Sequence, residues 1–114
     1  MPLTTNQDGN LLTLHVDGAI DSHLGAEMQT ATTQALAGGT RRFLVNLQRA
    51  KQANSVGLEA LVTTARAVAG SGGRLALVGT TSLLADVFAA TRLDRRFALF
   101  DSTEQAIATL RRGS

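Results

Sequence analysis

Short apolar runs alternate with helix-length amphipathic segments along this chain, and that alternation limits the fold more than any other feature. The runs are Phe43-Leu44-Val45-Asn46-Leu47, Leu75-Ala76-Leu77-Val78 and Phe97 to Phe100. Each is too short for a stable helix and mostly apolar, as expected of a strand covered on both faces. Between them, Leu58, Leu61, Val62, Ala65, Val68 and Ala69 recur at helical spacing, as do Leu84, Val87, Phe88 and Thr91. Each set gives a helix one stripe for a core. Strands separated by helices mostly run parallel, joined by right-handed crossovers.

The start of the chain differs. Leu11 to Asp17 alternates, with Leu12, Leu14 and Val16 on one side and Thr13, His15 and Asp17 on the other. Asp8-Gly9-Asn10 is a turn signal, so residues 2–6 are expected to pair with this strand as an antiparallel hairpin. Gly18 is expected to end the strand. Asp21 or Ser22 then caps a first helix that runs to about Ala37, with Leu24, Met28, Ala31 and Ala35 on one face and Gly38-Gly39 as the stop. Residues 48–53 read as a polar loop, and Asn54-Ser55 as the start of the second helix. Thr80 to Ser82 opens the third. Ser102-Thr103-Glu104-Gln105 fits a capping box before the fourth, whose apolar side is Ala106, Ile107 and Leu110. The predicted fold is α/β in the order β-β-α-β-α-β-α-β-α: a mixed, mostly parallel sheet with an N-terminal antiparallel hairpin and four helices.

With 114 residues, 44% of them hydrophobic and 18% charged, the chain suits one domain, 1–114, with a core over about 3–110 and a frayed tail at 111–114. It has no cysteine, which excludes disulfides, thiol catalysis and thiolate metal sites. His15 and His23 are too few for a zinc site without carboxylates, and no metal or cofactor is expected. No apolar run approaches the roughly 20 residues of a membrane span, and MPLTTNQDGN lacks a signal-peptide core. A cytoplasmic protein without direct membrane insertion is the expectation. The net charge is +2, and the arginines fall in short clusters at Arg41-Arg42, Arg92 to Arg96 and Arg111-Arg112. They read as solvated loop and helix-end charge. Without Trp or Tyr for stacking, no nucleic-acid partner is expected.

The motifs of catalysis are missing. Gly70-Ser71-Gly72-Gly73-Arg74 lacks the spacing and lysine of a phosphate loop and precedes a strand instead of a helix. No GxSxG or HExxH occurs, and no enzyme is expected. The start of the second helix stands out instead. Its free N–H groups and dipole favour an anion or acceptor. Asn54 and Ser55 explain themselves as caps. Gly57, in the first turn, does not: glycine costs about 1 kcal/mol there against alanine. Its missing side chain would let another backbone or a partner approach.

These residues carry a family resemblance. FLVNLQRAKQANSVGL at 43–58 is similar to the strand-loop-helix pattern "vvlDLsxvxfiDSsGL" of the STAS family, named for sulfate transporters and anti-sigma factor antagonists, and aligns with it without a gap. VDGAIDS at 16–22, GGRLALVG at 72–79 and VFAATRLDRRFALFDSTEQAIATL at 87–110 resemble three further family segments, in the correct order. The resemblance implies a non-enzymatic domain that regulates by binding proteins. The implied partner is an anti-sigma factor that is also a serine kinase. In the alternative the domain is an accessory subunit docked on the ATPase of an ABC lipid-transport complex. The implied partner surface comprises Asp21, Ser22, Lys51, Asn54, Ser55, Val56, Gly57, Leu58 and Leu61. In many members a Ser or Thr just before the motif glycine takes a phosphate that switches binding off. Here that position is Val56, which has no hydroxyl. Ser55 matches the serine one position earlier and is the substitute acceptor. Asn46 and Asn54 stand where the family has Asp, and Gln52 where it has an apolar residue. The resemblance leaves the oligomeric state open.

Overall fold

A computed structural model describes residues 3–95 and 97–112. Five strands and four helices follow in the expected order: β1 (Leu3–Asp8), β2 (Leu11–Ile20), α1 (Ser22–Ala37), β3 (Arg42–Ala53), α2 (Ser55–Gly70), β4 (Arg74–Val78), α3 (Ser82–Thr91), β5 (Ala98–Phe100) and α4 (Thr103–Arg112). The strands lie in the sheet in sequence order. β1 and β2 are antiparallel and every other pair is parallel. Each of α1, α2 and α3 therefore runs back against the strands, and successive crossovers advance in one direction. With a constant hand, that puts the three helices on one face.

Two cores result. Leu12, Leu14, Val16, Phe43, Val45, Leu47 and Leu77 meet Leu24, Met28, Leu58, Leu61, Leu84 and Phe88 on the three-helix face. On the other face, Leu11, Leu44, Ala76 and Val78 are covered by Ala106 and Leu110 of α4. This second layer explains why Leu11 and Thr13 are buried, although Thr13 lies on the side of β2 that alternation reads as polar. His15, further along that side, is exposed as expected.

Two expectations are corrected. Gly18 does not end β2. It sits at φ 99° beside a register irregularity, and the strand continues to Ile20. A bulge makes use of the conformations open to glycine. Residues 48–53 are not a loop but the second half of β3, with Asp17 opposite Arg49, Ala19 opposite Gln52 and Ile20 opposite Ala53. β4 pairs with β3 only as far as Asn46. Beyond that point β3 has β2 alone as a neighbour, so a polar sequence suits it. α4 runs through Arg112; residues 113 and 114, like Met1, Pro2 and Arg96, lie outside the described residues.

Candidate protein-docking site

The overlong pair β2–β3 ends with two helix starts side by side. At the end of β2, Asp21 is the N-cap of α1, its Oδ1 accepting from the Leu24 N–H at 3.0 Å. At the end of β3, Asn54 is the N-cap of α2, its Oδ1 accepting from the Gly57 N–H at 2.9 Å. Both satisfy donors that the first helical turn leaves free. The Asn54 N–H donates to the Ile20 carbonyl at 3.1 Å, so one strand end is tied to the other. A shallow cleft of about 210 Å³ runs between them, lined by Ala19, Ile20, Asp21, Gln52, Ala53 and Asn54.

Gly57 is explained here. A Cβ at this position would run into the Ile20 carbonyl and come within 2.7 Å of the Asp21 nitrogen. The backbone that its missing side chain admits belongs to this chain. Deeper in, a Cβ on Gly25 would lie 2.5 Å from the Ala60 Cβ. The two helices thus approach closely, with both N-termini at the same end of the strands. Neither first turn contains an acidic residue.

The nine expected surface residues divide into two groups. Ser22, Lys51, Asn54, Ser55 and Val56 are exposed and Asp21 is half-buried. Gly57, Leu58 and Leu61 are buried, Leu58 at 7% exposure and Leu61 at 0%. Their side of α2 packs on the sheet, within the core of the three-helix face. Ser55 does not cap α2; Asn54 does, and Ser55 is the first helical residue. Asn46 bonds back to its own strand, its Oδ1 accepting from the Gln48 N–H at 2.9 Å. Ala19 joins the cleft because the continued β2 brings it there.

Val56 is the decisive residue. It is 57% exposed, the more exposed of two large hydrophobic residues at the described surface, the other being Leu99 at 37%. It stands at the helix tip, at the position where the resemblance puts a hydroxyl. The STAS domain family model matches residues 2–106. The chain belongs to the STAS domain family. No curated protein matches it by sequence. Among solved structures, a candidate anti-sigma factor antagonist from Thermotoga maritima superposes with a TM-score of 0.86 at 19% identity, over 96% of this chain and 94% of that one. The anti-sigma factor antagonist SpoIIAA in its unphosphorylated form gives 0.75 at 18%, over 98% and 99%. A sulfate transporter family protein from Wolinella succinogenes gives 0.80 at 14%, over 93% and 88%. At these identities the likeness concerns the fold. Among the described residues, no helix of this STAS domain is long and apolar enough to cross a membrane.

Proposed function

We propose that this STAS domain is a non-enzymatic cytoplasmic regulator. It docks on an anti-sigma factor of the serine-kinase type through the tip formed by Asp21, Ser22, Lys51, Asn54, Ser55 and Val56. The observation that carries the reading is the exposed Val56, at a tip whose backbone is held by Asn54, Ile20 and Gly57. An apolar side chain on a rigid helix end suits a packed protein contact. SpoIIAA, which shares the fold, is known in phosphorylated and unphosphorylated forms. A phosphate adds about −1.5 to −2 charges, enough to break such a contact. With Val56 in place, the toggle at that position is absent and docking is constitutive.

The test is affinity capture from the native cell with the full chain, beside Val56→Glu and Arg66→Glu. The wild type and Arg66→Glu are expected to recover a kinase-like partner and Val56→Glu to lose it. Equal recovery by Val56→Glu would remove the tip from the interface. With that partner and ATP, the wild type is expected to keep its mass and Val56→Ser to gain one phosphate. A phosphopeptide at Ser55 of the wild type would show that the switch has moved by one residue.

A second reading rests on the family resemblance, which also extends to accessory subunits of transport complexes. The same tip would then dock on the ATPase of an ABC lipid-transport complex. Recovery of an ATPase and permease in the same capture decides for it.

A further inference from the structure

The end of the sheet opposite the docking tip has its own charge pattern. Arg42 and Arg74 open β3 and β4 and are direct cross-strand partners. Parallel partners project to the same face, here the α4 face, and like charges placed so repel each other. Arg41 stands beside them, and Arg111 and Arg112 end α4. Against these five arginines, β1 contributes Asp8 alone, which meets Arg111 at 3.9 Å.

Helix C-termini account for only part of this. All four helices end at this end of the sheet, and each end carries about half a negative charge. Arg41 answers one of them, its Nη1 donating to the carbonyls of Leu36 at 3.0 Å and Thr40 at 2.9 Å. Arg42 donates through Nε to the Leu110 carbonyl at 3.1 Å. Its two Nη groups have no protein acceptor among the described residues, nor does the guanidinium of exposed Arg74. The positive surplus exceeds what the helix ends neutralise.

The backbone holds this pair together. A Cβ on Gly73 would lie 2.5 Å from the Arg41 carbonyl, so glycine lets the turn close until the Arg74 N–H donates to that carbonyl at 2.8 Å. The Asn10 side chain accepts from the Arg41 N–H at 2.7 Å. Between these groups lies a cleft of about 260 Å³, lined by Asn10, Arg41, Arg42, Gly73, Arg74 and Leu110. That is below the roughly 300–1,000 Å³ of sites that enclose drug-sized ligands. It suits a single phosphate group with its substituent outside. Two neighbouring guanidinium forks match the oxygens of a phosphate.

We propose that this cleft binds a phosphate-bearing anion, clamped by Arg42 and Arg74. The bound charge relieves the repulsion between the two arginines. The site lies at the other end of the strands from Val56 and does not depend on the docking reading.

The test titrates the full chain with inorganic phosphate by NMR. In parallel, the chain is sedimented with phosphatidylcholine vesicles with and without phosphatidic acid. Saturable shifts at Gly73 and Arg74 are expected. Arg74→Gln should weaken phosphate binding by about tenfold or more, the loss of a charge-assisted contact. Arg66→Gln, an equal loss of charge on α2 away from the cleft, should change it by less than about twofold. Arg42→Gln should act like Arg74→Gln while thermal melting confirms that it is folded. Vesicle retention that requires phosphatidic acid and Arg74 would identify the source as a lipid headgroup. Phosphate binding without retention would identify a soluble ligand. Absence of saturable binding to both probes overturns the site, and so does equal weakening by Arg66→Gln and Arg74→Gln.

Discussion

At the scale of single residues, the tip depends on one hydrogen atom. Gly57 is negative in φ and needs no special conformation; it needs space, because the Ile20 carbonyl occupies the place of a Cβ. Gly57→Ala should gain helix propensity and lose more to the clash. Overpacking of this kind costs about 1–3 kcal/mol. A fall in the urea midpoint is expected, with disturbed amide signals at Ile20, Asp21 and Asn54. A midpoint equal to or above that of the wild type would mean that the strand end yields readily. Val56 behaves in the opposite way. It is exposed, so Val56→Glu should stay within about 0.5 kcal/mol of the wild type while changing what the tip can bind.

At the scale of elements, α1 and α2 are set by their caps and by their mutual approach. The caps were legible to within one residue, as Asp21 or Ser22 and as Asn54 or Ser55, because the cap chemistry is local. The approach was not legible. Nothing in the local sequence around Gly25 shows that the Ala60 Cβ lies 2.5 Å from where its own Cβ would be. The sign of Gly25→Ala should therefore depend on residue 60. Alone, it should destabilise through the clash by about 1–3 kcal/mol, less the propensity gained. In an Ala60→Gly background it should stabilise by about 1 kcal/mol, the propensity term alone. A denaturation double-mutant cycle checks this, and additive effects would mean that the helices adjust freely. β3 teaches the same lesson. Residues 48–53 read as loop because their alternation is not apolar, yet Arg49, Ala50, Gln52 and Ala53 pair with β2 where the rest of the sheet has ended.

At the scale of the molecule, the three-helix face holds the larger core, and Phe88 is a main part of it. Phe88 is fully buried on α3 and stacks on Phe97 with ring centroids 6.3 Å apart. Phe88→Ala should cost about 3–5 kcal/mol. Domains of this size are stable by only about 5–15 kcal/mol, so the melting temperature should fall steeply. A small shift would mean that α3 contributes little to the cooperative unit. The parallel strands and antiparallel helices also sort the molecule into two ends. Helix N-termini and Val56 lie at one end, and helix C-termini with Arg41, Arg42 and Arg74 at the other. A variant at either end should leave binding at the other unchanged.

The element order, the caps, the three-helix stripe and the family motif were all present in the sequence. They rest on period, on hydrogen-bonding side chains and on spacing, which are properties of neighbouring residues. The tertiary structure alone decided how far β2 and β3 run, and that Gly57 and Gly25 make room for this chain's own atoms. It also brought Arg42 beside Arg74. Each of these depends on which residues from distant parts of the chain come within a few ångströms, and one-dimensional spacing does not carry that distance.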